Sequence, residues 1–157
     1  MILYHASDRE IISPDTLHSR IKVDFGKGFY TTPLPEQAAA WCERFLKSGR
    51  PGIISKYSFN MDESKKFNTL YFDSYSEHWL SFVLDCRRGI DVSNYDIVAG
   101  GVANDRVFNT VELFCDGLIS QDEAIKRLQY EKPNYQICFR NQAAINACLC
   151  FKGSECR

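Results

Sequence analysis

Asp24-Phe25-Gly26-Lys27-Gly28-Phe29-Tyr30-Thr31-Thr32, followed at once by Pro33-Leu34-Pro35-Glu36-Gln37-Ala38-Ala39-Ala40-Trp41-Cys42, is the stretch on which the rest of the chain turns. The glycines around Lys27 read as a loop, Phe29 to Thr32 as a short strand, and the two prolines sit where a helix begins. Gly26 and Gly28 permit backbone conformations closed to other residues and leave room for a flat ligand against the main chain. The plain alternative is a hairpin turn. A dinucleotide fingerprint of doubly wound sheets places its glycines after a strand and before a helix, with a third at a fixed offset. Here the loop precedes the strand, and Thr31 stands where that glycine belongs.

Set beside this stretch, the start of the chain changes the reading. Leu3-Tyr4-His5-Ala6-Ser7 is a short strand bearing a histidine and small residues, about 20 residues ahead of the glycine loop. Together with Ser19-Arg20, Tyr95-Asp96-Ile97-Val98, Val102-Ala103-Asn104-Asp105 and Gln136-Ile137-Cys138-Phe139, these segments give the chain a marked likeness. It resembles an ADP-ribosyltransferase-like domain of the histidine-tyrosine class, in which a Leu-x-His-Gly-Ser/Thr strand precedes Phe-Gly-x-Gly-Ile-Tyr and an alanine-rich helix. It is most similar to a bacterial family of uncharacterised members of that superfamily, of the DUF3990 type.

The resemblance implies an α+β fold, a split mixed and antiparallel β-sheet core with flanking helices, formed by one domain over residues 1–157. It also implies an NAD-dependent mono-ADP-ribosyltransferase that releases nicotinamide and modifies a macromolecular acceptor, protein or nucleic acid. Cleavage of the nicotinamide glycosidic bond passes through an oxocarbenium-like transition state, so the protein must hold the ribose, clamp the nicotinamide and steady positive charge. Carried over residue by residue, the ribose-binding histidine is His5. The backbone that pairs with the carboxamide is that of Ala6, where a glycine is usual, with Ser7 beside it. Tyr30 takes the place of the aromatic that stacks on nicotinamide; equally, Phe29 and Tyr30 alternate as any strand pair does, which would turn Phe29 to the core and Tyr30 to the cleft. Arg20 is either a solvated charge or a forked donor to pyrophosphate. At the third position, usually a glutamate, the strand offers Gln136, or Tyr135 if the register moves by one. Glutamine carries no charge, so a substitute carboxylate is expected, with Asp105 ahead of Glu112. The alternative is a catalytically impaired module that binds NAD or a partner, or an NAD glycohydrolase. Compact operons typical of such families suggest a toxin-like role with a small neutralising partner protein.

Composition limits these readings. The chain has 157 residues, 45% of them hydrophobic and 13% aromatic, which fits about one folded domain. A net charge of −1 gives no general attraction to nucleic acid or anionic membrane. Seven cysteines without CxxC spacing read as reduced, mostly buried small hydrophobes in a reducing cytoplasm, and the dispersed His5, His18 and His78 suggest no metal site. No signal peptide or run of about 20 apolar residues is visible, so a cytoplasmic protein that does not engage membranes is expected.

In chain order, the spacing predicts a helix over Leu34 to Lys47 with Trp41 in the core, then strands over Gly52 to Asn60 and Phe67 to Asp73. A capping box beginning at Ser74 opens a helix that Gly89 closes, with His78 on its surface. Tyr95 to Ala99 reads as a buried strand. A helix follows from Asn104 or Asp105 with Phe108, Val111, Phe114 and Cys115 inward, and another after Ser120. Tyr135 to Phe139 reads as a strand, Asn141 to Ala147 as a helical turn, and Leu149 to Lys152 as a last strand.

Overall fold

A computed structural model describes residues 1–91, 93–129 and 134–157, leaving aside the side chain of Asp105. Seven strands and six helices lie among them: β1 (Ile2–Ser7), β2 (Phe29–Thr31), α1 (Pro35–Lys47), β3 (Ile53–Phe59), α2 (Met61–Ser64), β4 (Thr69–Tyr71), α3 (Glu77–Arg88), β5 (Ile97–Gly100), α4 (Asp105–Cys115), α5 (Gln121–Leu128), β6 (Gln136–Phe139), α6 (Gln142–Cys148) and β7 (Leu149–Cys156). They build two sheets. One is antiparallel with the order β1-β3-β7, and the other is mixed with the order β2-β6-β5-β4, in which only β4 and β5 run parallel. The protein is therefore mixed α+β.

Strand alternation stacks these parts in layers. Leu3, Phe29, Tyr57, Ile97, Ala99, Ile137 and Phe139 fill the space between the sheets. Their neighbours Val98 and Cys138 face the other way, onto Phe25, Trp79, Leu80 and Val83 beneath α3 and Val107 and Val111 of α4. On the outer face of the first sheet, Ala38 and Cys42 of α1 pack on Ala6 and Ile54, with Trp41 alongside and partly buried. A reciprocal pair of backbone hydrogen bonds between Tyr4 and Thr32, 2.8 and 2.9 Å, ties β1 to the end of β2.

Most element boundaries fall where the periodicity predicts them, and the departures have local causes. The cap of α3 is Ser76, whose hydroxyl accepts from the Trp79 amide, two residues beyond the expected Ser74. Tyr75 stays outside the helix, its ring edge-on to Trp79 and its hydroxyl donating to the Val102 carbonyl. Gly89 adopts the left-handed conformation expected of a closing glycine, and Asn104 rather than Asp105 caps α4. On α4, Val111 is buried as predicted and Phe114 packs partly buried against the core, but Val107 and Thr110 join them on the inward face, Phe108 is only partly buried under the Arg87 guanidinium, and Cys115 is exposed. β4 is shorter and β7 longer than expected, because β7 runs the full length of its pairing with β3. The seven cysteines are all free, with Cys42, Cys86, Cys138 and Cys148 buried. No helix among the described residues is long and apolar enough to cross a membrane.

Candidate functional site

The glycine loop docks on β6. Gly26 and Gly28 are both buried, and Gly26 has φ +72°, which suits glycine alone. The room expected there for a flat ligand is taken by the protein itself: a Cβ on Gly28 would stand 2.5 Å from the Cys138 thiol and 2.7 Å from the Phe139 carbonyl oxygen. The Gly28 amide donates to the Ser19 hydroxyl at 2.7 Å, which lays the Ser19-Arg20 turn alongside the loop.

Tyr30 fastens the same loop from the strand that follows it. Its hydroxyl accepts from the Phe25 amide (2.9 Å) and donates to the Gly26 carbonyl (2.7 Å), while its partly buried ring packs against the helix-side core. Burial, helped by the neighbouring Cys138 thiol and Asp24 carboxylate, pushes the phenol well above its ordinary pKa, so the clip stays protonated. Phe29 lies in the inter-sheet core, as alternation predicts.

His5 meets this strand from the other side. Its ring stacks on Phe29 with centroids 4.4 Å apart, and its Nδ1 lies 2.7 Å from the Tyr30 carbonyl oxygen. A carbonyl oxygen only accepts, so Nδ1 carries the hydrogen and Nε2 is left as a lone-pair acceptor without a partner among the described residues. His5 and Tyr30 thus meet through main chain, with their side chains on opposite faces of β2. Ala6 faces away from His5, buried under α1, and Ser7 closes the strand with its hydroxyl bonded to the Arg9 carbonyl.

Burial is the main influence that lowers the His5 pKa, to about 4; the nearby Arg44 charge adds to it, and the bond to Tyr30 opposes it. The folded value lies below the ordinary 6.5, so the unfolded chain takes up the proton first. The contribution of neutral His5 to stability is therefore complete above pH 6.5 and declines as pH falls toward 4. Imidazole NMR signals from His5 are expected to show the Nδ1-protonated tautomer, unchanged between pH 8 and pH 6, with a midpoint about 4; a midpoint near 6.5 would remove this assignment.

Beneath the loop lies a polar network. Asp24, 7% exposed, accepts through Oδ1 from Nε (3.1 Å) and Nη2 of Arg87, and through Oδ2 from the Ala103 amide (2.8 Å) and Gln136 Nε2 (3.0 Å). The Arg87 guanidinium lies over the Phe108 ring at 4.3 Å. Asn134 joins Val102 to β6 in a similar way, its Oδ1 accepting from the Val102 amide (2.8 Å) and lying 2.9 Å from the Tyr75 hydroxyl, whose one hydrogen it shares with the Val102 carbonyl. Gln136 is 4% exposed and holds a carboxylate rather than facing open space. Tyr135 is partly buried one residue before it, its amide and carbonyl both bonded to the Gln37 side chain.

The structure therefore brings together Gly26, Gly28, Tyr30 and Gln136, with His5 and Ala6 behind the strand and Arg20 at the rim. The Asp105 side chain lies outside the described residues, and Glu112 is exposed on α4. Asp24, Arg87 and the Ala103 amide were missed as site residues. A charge opening an aromatic-glycine loop was the available sign, but nothing local marks a partner 63 residues away. No group of three His, Cys, Asp or Glu side chains converges as a metal site among the described residues. Concavities of about 490 and 450 Å³ lie elsewhere, one between Ser74 to Glu77 and the start of α5, the other between Ile12 to Asp15 and α6.

Fold and site together define a mixed α+β protein of two facing sheets, with a clipped glycine loop at the junction of β1, β2 and β6. A family model described as a protein of unknown function (DUF3990) matches residues 1–151, and the chain belongs to that family. No curated protein matches it.

Proposed function

We propose that the chain is an NAD-dependent mono-ADP-ribosyltransferase with an ADP-ribosyltransferase-like core, acting in the cytoplasm on a macromolecular acceptor. The observation that carries this reading is His5: a neutral imidazole whose Nδ1–H is committed to the Tyr30 carbonyl, leaving Nε2 to accept from a hydroxyl donor such as a ribose. A tautomer fixed by the backbone holds that acceptor in place before a ligand arrives, which is what positioning of a sugar requires. NAD supplies the scissile glycosidic bond as substrate. The chain's own residues bind and orient it, with His5 on a ribose, the main chain of Ala6 and Ser7 along the same strand, and Tyr30 fixing the glycine loop from the opposite face of β2.

One observation favours a second reading, a module that binds NAD with little or no turnover. Gln136 brings no charge, and both oxygens of the nearby Asp24 are engaged by Arg87, Ala103 and Gln136 itself. A carboxylate so occupied is poorly placed to steady an oxocarbenium ion.

Incubation with labelled NAD and bacterial lysates is expected to transfer label and release nicotinamide; binding without either result selects the second reading, and no binding removes both. His5→Ala is expected to weaken NAD affinity about tenfold or more, since it leaves a ribose hydroxyl without its partner, about 1–3 kcal/mol. Tyr30→Ala is expected to weaken it in the same direction by releasing the glycine loop that the Tyr30 hydroxyl clips to Phe25 and Gly26. Calorimetry on folded variants checks both, and unchanged affinity in the two together would remove this site.

A further inference from the structure

β7 is the outermost strand of the first sheet. It pairs with β3 along one side, and its other edge pairs with no strand among the described residues. Two bonds bracket the ladder, from the Asn60 amide to the Cys148 carbonyl and from the Arg157 amide to the Gly52 carbonyl, both 2.8 Å. Bonding alternates along an antiparallel pair, so Cys150, Gly153 and Glu155 turn their main-chain groups to β3, while Leu149, Phe151, Ser154 and Cys156 turn theirs to the open edge. This second set is unevenly spaced. Phe151 stands opposite Tyr57 and Gly153 opposite Lys56, which leaves Lys152 as an extra residue. Gly153 has φ +128°, and a Cβ there would meet nothing within 4 Å.

A bulge on an edge ordinarily turns other strands away. A regular strand laid along β7 presents bonding groups at every second residue, so it matches one half of the edge and loses register across Lys152. A second copy of β7 brings the same extra residue to the same place. Run antiparallel about a two-fold axis, it sets Phe151 opposite its own Ser154 and Leu149 opposite its own Cys156, so that every outward main-chain group meets another. Charge fits the same register. Lys152 is exposed and makes no ion pair among the described residues. It falls opposite the bare Gly153 of the second copy and on the diagonal from that copy's Glu155, a separation a lysine spans. We infer that β7 is a self-association edge, at which two copies of this chain join their first sheets into one, in the order β1-β3-β7-β7-β3-β1. The inference is independent of the NAD reading.

Sedimentation velocity of the purified chain under reducing conditions is expected to show monomer giving way to dimer as concentration rises. Ser154→Pro removes an outward amide and no bond to β3, and Lys152→Glu brings carboxylates together across the axis. Each change acts twice in a symmetric dimer and should weaken it about tenfold. Lys152→Glu alters an exposed side chain with no ion-pair partner, so its melting temperature at concentrations where wild type is monomeric should match wild type, and it decides the matter if the proline variant fails to fold. The register has its own readout. The thiol introduced by Leu149→Cys lies opposite Cys156 of the second copy with about 5.5 Å between Cα atoms, a span a disulfide bridges. Oxidised glutathione should convert that variant to a covalent dimer, and adding Cys156→Ser should abolish the cross-link. A chain that stays monomeric at every concentration, a dimer indifferent to Lys152→Glu, or failure of Leu149→Cys to cross-link overturns the inference.

Discussion

Asp24→Ala is expected to cost about 3 kcal/mol of stability and lower the melting temperature by about 6–12 °C. The change leaves the Arg87 guanidinium, the Gln136 amide and the Ala103 amide without the acceptor that engages all of them. Breaking a buried ion pair from one side typically costs about 3–5 kcal/mol; the lower end applies because the Arg87 side chain keeps 21% of its exposure. The double change Asp24→Asn with Arg87→Met removes both charges together and should recover most of the loss, since an isolated charge is what destabilises. Thermal melts of the variants check this. A fall of under about 2 °C for Asp24→Ala would show that the network does not hold the loop.

Gln136→Glu supplies the carboxylate that the resemblance leads one to expect, and its effect is expected to depend steeply on pH. Gln136 Nε2 stands 3.0 Å from Asp24 Oδ2, so a glutamate there would bring two carboxylates together, and one must hold a proton. When it holds that proton, the introduced carboxyl donates to Asp24 much as the amide does, and the variant should be close to wild type at about pH 5. Its folded pKa lies above the unfolded value of about 4.3, so stability is retained below that value and lost as pH rises toward the folded pKa. The loss is about 1.4 kcal/mol per pH unit, or about 3–4 kcal/mol at pH 7. Denaturant melts at about pH 5 and about pH 7.5 distinguish this from a flat profile, which would mean the two side chains do not meet. In an activity assay the same variant is expected to gain no turnover, because its new charge is occupied with Asp24 rather than with substrate.

How far the chain could be read in advance follows from the range of each signal. The helix stripe of α1, the glycine that ends α3, the cap at Asn104 and the alternation that turns Phe29 to the core are set by neighbours in sequence, and each fell close to its expected place. The cap of α3 moved to Ser76 because Tyr75 is drawn outward to Val102, a long-range contact invisible to a local pattern. The same holds for the site. Gly26, Gly28 and Tyr30 announce a loop and its strand, yet that Tyr30 closes on Gly26, and that Cys138 fills the space over Gly28, depends on the pairing of β2 with β6. Asp24 and Arg87 look like ordinary surface charges until packing brings them into contact.

The position of β6 between β2 and β5, together with the pairing of β7 on β3, makes residues 136–156 the last contributors to both sheets. On the ribosome, β1, β2 and the glycine loop emerge well before the strands that complete their hydrogen bonding, and no cooperative unit can close until synthesis passes that point. The clipped glycine loop therefore reaches its final form late, once β6 is in place beside β2. Until then the exposed edges of β1 and β2 are open to any partner or chaperone that meets the nascent chain.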